Sequence, residues 1–477
     1  MSVIVDLYDS FVKFPSNEEL RKSKKMAHLV YVTPNMSTIC EYAGRTCYKS
    51  FNAIKEESYK KFISTVVGLG HESVIEHTNL IYIIFKPQNN KLGKETTDIN
   101  RELITVLSYN GLLKLSENQA FYILSGNLRM FKDLVREYIT IRMKYNTNKY
   151  NKIIEDIISS FYQLPKYFFE DMLKNGLLPQ PDVWTINPKL KEASSAISFV
   201  KLNDYISIIN HDDFTFKVKG FATKDDDKLS VKRISMPQAI QHKHNRLTVQ
   251  IRAPRYITHQ LVRHRLASYS QSSQRYILEE GNDVYIPEAI KGNSIADQTA
   301  RNFFNMSFKT YQGLIEMGIK KEDARAVLSN ACMSSVIMTA TIEEFNHMIE
   351  LRSDKAAQNF FRDMIATPLK EYLEKFYELK AENAPKKAVT NKEKTVTKNK
   401  PQKAVKNRQH KKSDVNKQGK EKFIKKLSNK NNFKNKSKST SNKQQKKVVK
   451  TVAKNVKKTT PKKSHNDIKT YKKPFSK

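Results

Sequence analysis

Residues 247–276 read LTVQIRAPRYITHQLVRHRLASYSQSSQRY. The first seven, LTVQIRA (247–253), alternate apolar and polar positions, the pattern of a strand with one buried face. PRYITHQLV then carries helical spacing, and the residues beyond it read as a loop. Arg263, His264 and Arg265 stand together beside this helix. Adjacent helical positions point about 100° apart, so three neighbours cannot all face water. At least one must turn inward and find an anionic or polar partner. Seven residues separate the triplet from Ser273, and Arg275 and Tyr276 follow. The stretch SYSQSSQRY (268–276) holds four serines and two glutamines. Small hydrogen-bonding groups beside the rigid fork of an arginine suit a phosphate and the edge of a base. On the residues alone, a polar surface loop with a scattered basic patch is the other reading.

Working outward, HLVYVT (28–33) reads as a strand, STICEYAGRTCY (37–48) as a helix, and YKKFISTVVGLG (59–70) as a helix ending at glycine. Residues 297–318 and 341–378 place apolar side chains three and four apart, as long amphipathic helices do. ATKDDDKLS (222–230) reads as an exposed loop. In the middle, FYILSGNLRMFKDLVRE (121–137) reads as an apolar strand, a turn at Asn127 and a helix.

The chain has 477 residues and a net charge of +37. From Pro385 to Lys477 there are 33 Lys and Arg against 4 Asp and Glu, while the rest carries 52 against 44. The first four-fifths is therefore mildly basic, with a composition able to build a core. The last fifth has too few apolar residues to offset the entropy of ordering, and we expect disorder there. A polycationic tail of this kind suits non-specific nucleic-acid binding that weakens with salt. Cys40, Cys47 and Cys332 show no CxxC spacing, so neither a disulfide framework nor a bound metal is expected. No apolar run approaches the roughly 20 residues a membrane helix needs. A soluble cytoplasmic protein without membrane partners is the expectation.

Arg263–Tyr276 resembles the signature of flavin-dependent thymidylate synthases: Arg-His-Arg, seven residues, then Ser. TPNMSTICEYAGRTCYKS (33–50), GHESVIEH (70–77) and DARAVLSNACMSSVIMTATIEEFNHMIELRSDKAAQ (323–358) resemble further segments of that family, in the same order. The resemblance implies reductive methylation of dUMP to dTMP, with methylenetetrahydrofolate as carbon donor, NADPH as reductant and FAD as hydride carrier. It implies FAD contacts from His71, Ser73, Glu76, Arg263, His264, Arg265, Gln271 and His347. It implies dUMP contacts from Gln260, Arg263, Gln271, Ser272, Ser273, Gln274, Arg275, Arg325 and Arg352. Arg352 takes the catalytic role, facing charge that develops on the uracil ring. A homotetramer with sites between subunits is also implied. The fold implied is α+β: an antiparallel or mixed sheet flanked by long helices, with a large insertion and the basic tail. Residues 1–86 and 247–384 would form the synthase core, 87–246 the insertion and 385–477 the tail.

The chain also departs from the family. Where members carry Asn-x-Arg touching FAD, it has Thr341, Ile342 and Glu343, and an acid there would repel an anionic cofactor. Asn127 and Arg129, placed between a strand and a helix, are candidates to supply those contacts instead; Asn127 as a plain helix cap is the alternative. The rival reading of the whole chain is a nucleic-acid-binding protein built on an inactive synthase-like core.

Overall fold

The computed structural model describes residues 4–6 and 25–382, apart from 87–93, 118–120, 146–149, 182–183, 187–196, 198, 216, 222–230, 280 and 282. The loop expected at 222–230 and the tail from 385 onward lie outside the described residues. The architecture is α+β, and every described strand pairing is antiparallel.

A first sheet of four strands is ordered Ala27–Val32, Leu80–Phe85, Phe121–Gly126, Lys114–Glu117. Its central strand, LIYIIF, is apolar at every position because both faces are covered. Leu80, Tyr82 and Ile84 pack under the helices Met36–Tyr48, Ser58–Gly68 and Leu128–Tyr145. Ile81 and Ile83 turn to the opposite face, against Val30, Phe121, Phe214 and Met236. The strand read at 28–33 is found at Ala27–Val32, and the helices read at 37–48 and 59–70 fall within about two residues of their observed bounds. Gly70, just past the second helix, adopts φ 80°, where a side chain would be strained.

The second sheet has five strands, ordered Ala267–Gln271, Met333–Thr341, Arg246–Pro254, Ile206–His211, Val200–Lys201. Leu247, Val249, Ile251 and Ala253 share its core with Val336, Met338 and Ala340. Phe345, Met348, Phe361 and Ile365 cover them from the C-terminal helices. A small third sheet joins Ile4–Asp6 to Lys217–Phe221 and Val231–Ser235.

Three expectations need correcting. The residues after the helix Arg255–Leu261 are not all loop: Ala267–Gln271 is a strand on Met333–Thr341. It was illegible because its inward positions are Ser268 and Ser270, buried but not apolar. The amphipathic stretch 341–378 is broken into Ile342–Arg352 and a second run beginning at Asn359. The middle region, residues 87–246, is woven into both sheets. It contributes Lys114–Glu117 and Phe121–Gly126 to the first, and Ile206–His211 and Val200–Lys201 to the second.

One buried ionic cluster fixes the segment 72–77 beneath the first sheet's helices. Lys132 is fully buried and meets Glu72 and Asp171; Arg136 reaches the same two acids. Lys132 Nζ also donates to the carbonyl of Phe168 at 2.8 Å. Paired acids and shared hydrogen bonds compensate the burial of that ammonium.

Candidate active site

The Arg-His-Arg corner follows directly from the helix Arg255–Leu261. That helix starts after Pro254, buries Ile257, Thr258 and Leu261, and ends at Val262. Of the triplet, only His264 turns inward; Arg263 and Arg265 stay exposed. Arg352, at the last turn of Ile342–Arg352, donates from Nε to His264 Nε2 at 3.2 Å. The imidazole accepting that bond is neutral, with its proton on Nδ1. Burial and the neighbouring Arg352 push His264 down to about 4, so it stays neutral near pH 7. Arg352 also donates to the Gln260 side chain at 3.5 Å and to the Gln260 carbonyl at 3.3 Å, and its guanidinium lies 4.9 Å over the Phe361 ring. A guanidinium stacked and bonded in this way is fixed in orientation before any ligand arrives. His347 is exposed on the same helix, close enough to His264 to depress its basicity further.

A second cluster gathers around Arg255 and Thr258, earlier on the same short helix. Gln271 donates to Thr258 at 3.0 Å and to Ser334 at 2.9 Å. Ser272 shares a 2.9 Å hydrogen bond with Ser334, and Arg255 donates to the Ser272 carbonyl at 3.1 Å. Ser273 is held by its own N–H, which donates to the Cys47 carbonyl at 3.0 Å. Arg275 pairs with Glu322 at 3.2 Å, and Arg325 donates to the Glu322 carbonyl at 3.1 Å. Gln274 is buried, and its Nε2 lacks a partner; so does Arg255 Nε. Burial lowers the Arg255 guanidinium below its ordinary value. Two unsatisfied donors beside a serine-rich turn are what a bound anion would satisfy. Arg255 was not among the residues singled out in the sequence; an arginine directly after Pro254 was the only signal.

The remaining residues come from the first sheet's side. Arg129 pairs with Glu76 at 2.5 Å. Asn127 is buried, and its side chain accepts from the Met130 N–H at 2.9 Å, so it does act as a helix cap. Asn127, Arg129 and Glu76 line a cavity of about 300 Å³ together with Arg246, Arg265 and Leu266 from the second sheet. His71 and Ser73 are exposed at the rim of an adjoining cavity of about 270 Å³, which Arg129 also lines. The structure thus groups the predicted residues into three sets: Gln260–His264–Arg352, Gln271–Ser272–Arg275–Arg325, and Glu76–Asn127–Arg129 with Arg265. Arg263 is exposed, and its backbone N–H donates to the Gln260 carbonyl at 3.3 Å.

The sequence profile of the thymidylate synthase complementing protein family matches residues 28–86 and 222–376. A flavin-dependent thymidylate synthase of Pyrococcus horikoshii is 34% identical over 174 residues, which cover 34% of this chain and 71% of that protein. The chain belongs to the flavin-dependent thymidylate synthase family. Its counterpart in Pyrococcus abyssi is 37% identical over 121 residues, 24% of this chain and 50% of that protein. The chain therefore spans about half the length of several of the curated relatives it matches. Among solved structures, a UMP/dUMP methylase, PolB, from Streptomyces cacaoi bound with 5-Br dUMP is 26% identical. It aligns over 28% of this chain and 68% of that one with a TM-score of 0.26, an overlap too partial to add to the fold argument. Among the described residues, no helix is long and apolar enough to cross a membrane.

Proposed function

We propose that this chain converts dUMP to dTMP, taking carbon from methylenetetrahydrofolate and electrons from NADPH through FAD. The observation that carries the reading is the pre-built Arg352–His264–Gln260 cluster at the Arg-His-Arg corner. Neutral His264 and the Gln260 oxygen hold the Arg352 guanidinium without cancelling its charge. Set against a uracil ring, that charge stabilises the anion formed as the ring reacts, and no reorganisation is needed at that moment. Arg255, Gln274 and Arg275 supply donors for the nucleotide phosphate. Ser273 binds rather than attacks: its Oγ accepts a 3.4 Å hydrogen bond from the Arg275 N–H, a contact that does not activate a hydroxyl as a nucleophile.

The residues present fit an anionic cofactor. Around the 300 Å³ cavity stand Lys114, Arg129, Arg246 and Arg265 against Glu76 and Asp133, an excess of positive charge. Asn127, Arg129 and Arg265 would hold FAD there, with His71, Ser73 and Glu76 at its edge. When bound, FAD supplies the hydride-carrying chemistry. Assembly into a homo-oligomer, a tetramer by family resemblance, and a cytoplasmic setting belong to the same proposal.

The test is dTMP formation by the purified full chain given FAD, NADPH, methylenetetrahydrofolate and dUMP, measured by chromatography. The expected result is product that requires all four. A flavin-free protein that makes no dTMP but shifts DNA in a salt-sensitive manner would instead support the nucleic-acid-binding reading.

A further inference from the structure

The two sheets share one plan. In each, a first strand (Ala27–Val32; Ile206–His211) lies beside a second (Leu80–Phe85; Arg246–Pro254), and the second beside a third (Phe121–Gly126; Met333–Thr341). The third lies beside a fourth (Lys114–Glu117; Ala267–Gln271) that precedes it in the chain. In both, the third strand runs straight into a long helix, Leu128–Tyr145 or Ile342–Arg352. Registers agree as well: Gly126 stands opposite Leu80, and Ala340 opposite Leu247.

Side chains outside that alignment confirm it. His77 and His244 each lie three residues before the corresponding positions Leu80 and Leu247. His77 bonds Thr339 and Ser270 of the second sheet, each at 2.9 Å. His244 bonds Ser125 and Ser116 of the first, at 2.7 and 2.8 Å. Ser125 corresponds to Thr339, and Ser116 to Ser270, on the strand registers above. The Thr33 N–H donates to the Asn79 carbonyl at 2.9 Å, and its counterpart Asp212 N–H to the Arg246 carbonyl at 2.9 Å. Contacts that map onto each other when the halves are exchanged are the mark of a two-fold relation. Residues 87–221, which the family profile leaves unmatched, then hold the C-terminal part of the first copy and the N-terminal part of the second.

The copies are not equally equipped. Tyr109-Asn110-Gly111 stands where the second copy has Arg263-His264-Arg265. Conversely Lys243, Thr341 and Glu343 stand where the first copy has Glu76, Asn127 and Arg129. The 300 Å³ cavity is lined by corresponding pairs, Leu112 with Leu266 and Asn127 with Thr341, so it sits on the pseudo-axis. On one side of that axis Arg129 and Arg265 converge; on the other stand Glu343 and Gly111.

We infer that the chain is a duplicated fold unit whose halves have divided one flavin-nucleotide site between them, so that each chain binds one such ligand and not two. This rests on the proposed FAD reading and adds its stoichiometry and its origin in both halves. Flavin-stripped full chain is titrated with FAD by calorimetry, with thermal melting as a folding control. One FAD per chain is expected. Arg129→Ala and Arg265→Ala should each weaken binding at least 10-fold, and the mirror changes Glu343→Ala and Lys243→Ala less than 3-fold. Two FAD per chain, or equal losses from the mirror changes, would overturn this inference and leave the FAD reading standing. Folded wild-type protein that binds no FAD would overturn both.

Discussion

The first and second sheets have the same strand order and opposite chemical loads. Around the first, Lys132 and Arg136 serve structure, locked onto Glu72 and Asp171, and Arg129 at the cavity is the cation proposed to meet a ligand. Around the second, charge stays accessible, as the proposed ligand sites require: Arg263 and Arg265 are exposed, and Arg352 is fixed but half-buried. Where Arg352 stands in one half, the strand-to-helix register places Tyr138 in the other, buried and donating to Glu155 at 2.8 Å. One framework can thus carry either a rigid support or an anion site, and only the side chains decide which.

The largest contrast concerns Lys132. Lys132→Met leaves buried Glu72 and partly buried Asp171 to share Arg136, and breaking a buried ion pair costs roughly 3–5 kcal/mol. A urea melt should show that loss, while dUMP affinity of the remaining folded protein stays within a few-fold of wild type. A stability change below about 1 kcal/mol would mean the cluster is solvated and the contrast false.

Next comes Arg352→Ala. Removing a preorganised stabiliser of developing charge typically lowers kcat by about 10² to 10³. The melting temperature should barely move, since the side chain is half-buried and its partners keep other contacts. Tyr138→Phe, the mirror change, should do the reverse: unaltered kcat and a stability loss of about 1 kcal/mol for the hydrogen bond.

The symmetric pair sharpens the comparison from the other direction. Burial holds both His77 and His244 at about 3, below the ordinary 6.5. The unfolded chain therefore binds protons that the folded chain refuses once pH drops below about 6.5. Stability should be fully present above that value and fall toward pH 3, by roughly 1.4 kcal/mol per pH unit for each histidine. His77→Ala and His244→Ala should each cost about 1–3 kcal/mol, through the serine and threonine hydroxyls left unpaired. Each should also flatten the acid limb by a similar amount. Costs differing by more than about 2 kcal/mol would break the equivalence of the halves.

Much of the second half was legible in the sequence. LTVQIRA alternates with period two because one face of its strand meets a core, and the Arg-His-Arg triplet announced an inward partner, which proved to be Arg352. The helix Ser294–Glu316 was legible from its spacing, and Asn293 caps it by accepting from Ile295 and Ala296. Other features carried no such signal. The strand Ala267–Gln271 buries serines, which period-two arguments do not count. The helix break after Arg352 falls in SDKAAQ, with no proline or glycine to mark it. The repeat was hidden because the copies share registers and only scattered side chains, such as His77 with His244, while Asn110 and Gly111 bear no likeness to His264 and Arg265. Arg255 was passed over because its significance lies in an unsatisfied buried nitrogen, which only three-dimensional surroundings reveal.

The most direct test is a crystal structure of the full chain with dUMP and FAD both bound. The account predicts a uracil ring against Arg352 and Gln260, and a flavin touching Asn127 or Arg129 from one half and Arg265 from the other. Density showing both ligands held by residues of a single half, with Arg129 still paired to Glu76 and Asp133, would contradict it.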